Sequence, residues 1–219
     1  MRQLHYFPGN ASLIARIVLE EIGAPFEPVL VDRAIDAQKS PAYLALNPNG
    51  LIPVLVEGQA DGSPPLVLYE TSAIVMHLCD THPEAALLPV LGTPARAHAC
   101  KWLAWLAATL QPALIIYFYP ERWADDAVAA ARIKAHAEAK IGAMLDLLDA
   151  EFARHGGPWL LGESFSAVDP YALVLCRWTR GFGRPARELA NLRPWLQRVL
   201  ARPAVQRAFA GEKLLPPLI

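Results

Sequence analysis

Asn49-Gly50-Leu51-Ile52-Pro53-Val54-Leu55 places a proline directly at the head of an apolar run. The first residue of a strand can forgo its N–H, and an Ile-Pro bond is able to adopt the cis form. Such a turn leaves the main chain of Ile52 as a strand edge that can pair with a peptide. Across the turn-rich Gly58 to Pro65 lies a second apolar run, Leu66-Val67-Leu68-Tyr69, and the two runs predict an antiparallel hairpin. Tyr69-Glu70-Thr71-Ser72-Ala73-Ile74 then converts strand to a helix running to Cys79. A carboxylate and a hydroxyl at that junction lie beside N–H groups and a helix dipole that favour an anion.

Upstream, Leu4 to Phe7 reads as a strand closed by Pro8-Gly9. Leu13, Ile14, Ile17, Val18 and Ile22 recur at helical spacing, with Ser12 as N-cap and Gly23 and Pro25 as the stop. Phe26 to Val31 is a second strand, confined to a sheet edge by Pro28. A short helix over Pro41 to Leu46 closes at Asn47-Pro48-Asn49-Gly50. The order is βαβ, short helix, ββα. Beyond His82 to Pro94 the pattern is helix only, over Ala95–Leu110, Ala127–Phe152, Pro170–Arg180 and Pro194–Phe209. The expected organisation is α/β plus all-α, with domains at 1–82 and 90–219.

The chain has 219 residues, 54% hydrophobic and 19% charged, with 20 Lys+Arg against 21 Asp+Glu. This excludes a disordered chain and argues against a broad nucleic-acid binder, which needs a positive excess to neutralise phosphates. Near-neutrality is a cancellation: residues 1–85 hold 4 basic and 10 acidic groups, and residues 86–219 hold 16 and 11. From Arg177 to Arg207 there are 8 arginines and one acid, Glu188, which reads as a solvated or intersubunit face. Cys79, Cys100 and Cys176 form neither a disulfide framework nor a metal pair, and the expected compartment is the cytoplasm. The first residues reach Pro8-Gly9 before any signal-peptide core forms. Trp102 to Pro120 is uncharged over nineteen residues but contains Gln111-Pro112, and is read as a buried, proline-kinked helix rather than a membrane span. The six histidines show no metal-ligand spacing and no phosphate-binding glycine loop occurs, so neither a metal nor a nucleotide is expected.

Pro8-Gly9-Asn10-Ala11-Ser12, the Ile-Pro-Val-Leu turn and the Glu-Thr-Ser-Ala-Ile helix start suit one ligand, a short peptide with a carboxylate, an amine and a thiol. At these residues the chain resembles the glutathione transferase family over essentially its whole length. The resemblance implies a thioredoxin-like first domain, a helical second domain, glutathione as co-substrate and a homodimer. It implies that the Ile52 main chain pairs with the cysteinyl part of glutathione beside a cis Pro53. Thr71 would bind the γ-glutamyl carboxylate, and Glu70 would face the α-amino group. The Pro-Gly-x-x-Ser turn looks like the bacterial beta class, but Ala11 stands where that class has a cysteine.

A thiol of pKa ~8.5 needs a donor to ionise at neutral pH. Ser12 is the first choice, Asn10 the second and Tyr6 the third. Asn10 is also similar to the asparagine of the nu class, which acts on disulfides. Structural roles stand beside these: Ser12 as a helix cap, Asn10 as a left-handed turn residue, Pro53 as a turn proline, and Glu70 as a first-turn carboxylate. Tyr117, Phe118 and Trp178 are read as an aromatic wall for flat apolar electrophiles, with core packing as the rival reading. Ser166-Ala167-Val168-Asp169 has the form of a capping box and is assigned to folding. The function implied is a detoxifying glutathione transferase attacking a small hydrophobic electrophile, with no nucleic-acid or membrane partner. Its rivals are a glutathione-dependent disulfide or peroxide reductase and a non-enzymatic binding module of the same fold.

Overall fold

A computed structural model describes residues 1–219. The chain divides into two compact units, Met1–Leu88 with Ala201–Leu215, and Pro89–Leu200 with Pro216–Ile219. In the first unit β1 (Arg2–Tyr6), α1 (Ser12–Ile22), β2 (Glu27–Leu30), α2 (Pro41–Leu44), β3 (Val54–Glu57), β4 (Leu66–Tyr69) and α3 (Thr71–Thr81) follow in the expected βαβ, short helix, ββα order. The sheet order is β2-β1-β3-β4, with β1 and β2 parallel and the other pairs antiparallel. β2 lies at the edge, where Pro28 costs no ladder bond on its outer side.

Strand alternation divides the unit's core in two. Val54 joins Val31 and Tyr43 on one face, with Ile52, Val56, Val67 and Tyr69 packed around them. Leu4 and Leu55, paired across the ladder, are fully buried on the other, together with Leu13, Ile14, Ile17 and Val18 of α1 and Ile74 and Leu78 of α3. Gly23 ends α1 in the left-handed conformation at φ 73°, and its N–H returns to the Leu19 carbonyl at 3.0 Å.

The second unit is helical: α4 (Pro94–Trp105), α5 (Gln111–Phe118), α6 (Ala127–His155), α7 (Val168–Trp178) and α8 (Leu192–Leu200). A π-helical turn, Leu106–Leu110, links α4 to α5. Pro112 has no N–H to return to the carbonyl four residues back, and the wider turn absorbs that loss without ending the helix. The stretch Pro94–Phe118 is long and apolar enough to cross a membrane by length and composition. Here its Trp102, Leu103, Leu106, Leu110 and Leu114 are buried.

One expected helix is two. Pro194 to Phe209 breaks after Leu200, and α9 (Pro203–Gly211) packs on α1 in the first unit. Arg202 is extended, at φ −66° and ψ 133°, because the ring of Pro203 excludes its preceding residue from helical geometry.

Asp169 organises the start of α7, although only half of the expected capping box forms: Ala167, not Ser166, is the N-cap, and the Ser166 hydroxyl accepts the Val168 N–H instead of the Asp169 one. Its Oδ2 accepts the Ser166 N–H at 2.9 Å, and its Oδ1 accepts the Leu160 N–H and the Trp195 Nε1–H, both at 2.9 Å. Burial pushes the Asp169 carboxyl up to about 6, against those hydrogen bonds, which pull it down. Asp169→Ala orphans three buried donors and is expected to cost about 3 kcal/mol in urea unfolding. The folded state keeps a proton that the unfolded chain releases between about pH 4 and 6, so this group's stabilisation is present below its ordinary pKa and lost as pH rises through about 6. The stability gap between wild type and Asp169→Ala is therefore expected to widen by about 2 kcal/mol from pH 7 to pH 4.

Candidate functional site

The register of the sheet sets the geometry of the first unit's site. His5 of β1 pairs with Val54 of β3, and Val54 pairs with Tyr69 of β4. Because β3 runs antiparallel to both neighbours, the end of β1, the head of β3 and the end of β4 lie side by side at one end of the sheet. Strands are about 4.8 Å apart, so the three following or preceding turns fall within a span of about 10 Å. Those turns carry Pro8–Ser12, Ile52–Pro53 and Glu70–Thr71, which is how the fold gathers all six candidate residues of this unit.

The Ile52–Pro53 bond is cis. Ile52 precedes the ladder, and neither its N–H nor its C=O has a partner within the fold. The carbonyl just before it is held twice: the Tyr43 hydroxyl and the Asn47 side-chain amide both donate to Leu51 O at 2.8 Å. Burial holds the Tyr43 phenol above its ordinary range, so it remains a donor. Tyr43 and Asn47 were not candidates from sequence; the Asn-Pro-Asn-Gly signal marks a turn but does not show what its first asparagine grips.

Glu70 is exposed and left-handed, at φ 70°, a conformation costly for a side chain with a Cβ. It supplies no side-chain cap to α3. The first-turn amides of α3 are therefore left for another acceptor, and the buried Thr71 adds a hydroxyl without a protein partner beside them.

At the third turn the two candidate donors stand in different surroundings. Ser12 is completely buried, its hydroxyl donating to Phe7 O at 3.1 Å and accepting from Phe7 N–H at 3.2 Å. Both of these bonds tie the Ser12 hydroxyl to the backbone of Phe7. Ser12 is not the N-cap: Ala11 takes that place with helical dihedrals, and Ser12 is the first residue of α1. Asn10 differs. Its Oδ1 accepts the Ala11 N–H, which fixes the side chain, while its Nδ2 has no protein partner and the residue is partly exposed. Gly9 adopts φ 69°, and its N–H is bound to Glu212 Oε2 at 2.8 Å, a contact across 203 residues that no local pattern reveals.

In the second unit Tyr117, Phe118 and Trp178 do come together. Phe118 stands edge-on to Tyr117 at 5.2 Å and to Trp178 at 6.5 Å. Phe182, missed from sequence, packs on Tyr117 at 4.1 Å. Phe118 is 44% exposed, so the group is not wholly a core. Gln111 accepts a hydrogen bond from the Tyr171 hydroxyl at 2.9 Å. Cys79 and Cys176 are buried, and burial pushes the Cys176 thiol up to about 12, which keeps it from acting as a nucleophile. No group of three or more His, Cys, Asp or Glu side chains gathers in a geometry that could hold a metal ion.

Residues 11–81 match the model of the glutathione S-transferase N-terminal domain, and residues 106–203 match that of the C-terminal domain. The chain belongs to the glutathione S-transferase family. It is 32% identical over 212 residues to Glutathione S-transferase GST-4.5 of Xanthomonas campestris, spanning 97% of this chain and 99% of that one. It is 27% identical over 218 residues to the Disulfide-bond oxidoreductase YfcG of Escherichia coli, spanning 98% and 97%. Among solved structures, a glutathione transferase homologue from Sulfitobacter with bound glutathione superposes with a TM-score of 0.85 at 31% identity, covering 98% of this chain and 99% of that one.

In this member of the family, Tyr43 and Asn47 share one acceptor, so their loss is not additive. Tyr43→Phe and Asn47→Ala are each expected to cost about 1 kcal/mol, because the Leu51 carbonyl keeps a second donor. The double variant leaves that oxygen bare and is expected to exceed the sum by about 0.5–1 kcal/mol in a urea double-mutant cycle.

Proposed function

We propose that the protein binds glutathione at the sheet end of its first unit, lowers the pKa of its thiol and directs the thiolate at a small hydrophobic electrophile. The observation that carries this reading is the convergence at one sheet end of an unpaired Ile52 main chain, an uncapped α3 start with Thr71, and a turn presenting the Asn10 amide. In it, Ile52 pairs with the cysteinyl backbone beside cis Pro53. Thr71 and the first-turn amides of α3 take the γ-glutamyl carboxylate, and Glu70 faces the α-amino group. Asn10 Nδ2, with the N-terminal dipole of α1 behind it, donates to the sulfur; Ser12 supports the turn from beneath. Each unit by which the thiol pKa falls requires about 1.4 kcal/mol of preference for the anion, within reach of one such donor plus a helix end. Tyr117, Phe118 and Trp178 supply the apolar surface for the electrophile. A cytoplasmic homodimer serving in detoxification completes the proposal, and it invokes no metal.

A second reading, glutathione-dependent reduction of a disulfide, is favoured by Asn10 in place of an enzyme thiol and by the likeness to YfcG. There the bound thiolate attacks a substrate disulfide sulfur, and a second glutathione resolves the mixed disulfide, leaving oxidised glutathione and the reduced substrate.

Purified protein with glutathione and 1-chloro-2,4-dinitrobenzene tests the first reading, and 2-hydroxyethyl disulfide in the same assay tests the second. Asn10→Ala is expected to lower kcat about 10- to 100-fold. Thr71→Val should raise the KM for glutathione about 10-fold with little change in kcat. Ser12→Ala should cost about 1–2 kcal/mol of stability and leave kcat within about 3-fold of wild type. If neither substrate turns over and calorimetry detects no glutathione at millimolar concentration, the protein is a binding module of the same fold instead.

A further inference from the structure

We infer that Glu212, beyond the last helix of the chain, is a positioning residue that holds the Pro8–Ser12 turn in its thiol-binding conformation; the inference rests on the glutathione reading above. Glu212 is 4% exposed, and its Oε2 accepts the Gly9 N–H at 2.8 Å. Gly9 is the left-handed hinge of that turn, one residue before Asn10. A buried carboxylate on a backbone N–H is a charge-assisted bond, roughly twice as strong as a neutral one. It therefore fixes the residue from which Asn10 projects.

Three further contacts bring Glu212 to that place. Arg202 forks onto Glu21 with bonds of 2.6 and 2.8 Å, and Arg207 reaches both the carboxylate and the carbonyl of Glu20 at 2.9 Å. These bonds fasten α9 along α1. At its end Gly211 lies against the buried Arg16 guanidinium, where a Cβ would approach Nη2 to 2.0 Å. Arg16 itself sits 5.7 Å from the ring centres of both Tyr6 and Phe26. A Cβ at Gly211 would have to push the Arg16 guanidinium aside, and the next residue is Glu212. The path from α9 to the turn is thus direct: two ion pairs, a glycine against a planar cation, then a carboxylate on Gly9.

Two variants of the full chain separate positioning from mere stability. Glu212→Ala removes the acceptor, whereas Glu212→Gln keeps an oxygen of the same reach. Amide hydrogen exchange, which needs no glutathione, is expected to show the Gly9 N–H protected in wild type and Glu212→Gln and exchanging at least about 10-fold faster in Glu212→Ala. In conjugation of 1-chloro-2,4-dinitrobenzene, Glu212→Ala should lose about 10-fold in kcat with the KM for glutathione within about 2-fold, and Glu212→Gln should restore most of it. The ultraviolet absorbance of bound thiolate should titrate at higher pH in Glu212→Ala than in wild type. Unchanged Gly9 exchange in Glu212→Ala would overturn the clamp. So would faster exchange with wild-type kcat and thiolate titration, since the turn would then open without consequence. A wild-type protein that neither binds glutathione nor turns over would instead defeat the transferase reading, and the exchange result would still decide the clamp.

Discussion

The antiparallel pairing of β3 with both β1 and β4 is the constraint on which the site depends. Three turns far apart in sequence share an end of the sheet only because Val54 lies opposite both His5 and Tyr69. A slip of one residue would turn Leu55 out of the α1–α3 face and Val54 away from Val31 and Tyr43. Burial on both faces therefore locks the register, and the register places the free Ile52 main chain between the Asn10 turn and the α3 start. The chemistry proposed for these groups is borrowed from backbone geometry more than from reactive side chains.

Much of this was legible in sequence because it is local. Alternation and turn residues announced the hairpin, helical spacing announced α1, and a proline at the head of an apolar run announced the turn at Ile52. The Ser12 role was not legible, because a hydroxyl at a helix start looks the same whether it faces solvent or the Phe7 carbonyl. Pro203 was present in the sequence as a breaker, yet the apolar spacing continued through it; the dihedral restriction on Arg202 outweighed the periodicity. Phe182 and Glu212 were not legible because their partners Tyr117 and Gly9 are distant in sequence, and Tyr43 and Asn47, though only 8 and 4 residues from Leu51, because a turn signal does not show which carbonyl its side chains grip.

The arginine-rich segment shows what happens to a charge pattern once partners are known. Arg184 pairs with Asp146, Arg187 donates to the Arg180 and Ile219 carbonyls, Arg193 to the Arg187 carbonyl and Arg198 to the Pro158 carbonyl. Arg202 and Arg207 bind the paired glutamates of α1. Guanidinium forks suit this fastening of carbonyls and carboxylates, for which a lysine would serve less well. A run that reads in one dimension as a solvated or intersubunit face is spent largely on the chain's own loops and helix ends.

The return of the chain to its first unit also has a temporal meaning. Domains commonly fold in order as they leave the ribosome, at roughly 5–20 residues per second. Here the sheet and α1 are synthesised first, but the outer side of α1 waits for α9, and the Gly9 amide waits for Glu212, 203 residues later. The nascent first unit thus spends on the order of ten seconds or more with Glu20, Glu21 and the Gly9 amide lacking these partners. A chain cut short before its last dozen residues would carry every strand of the sheet and still lack the carboxylate that sets the Gly9 turn.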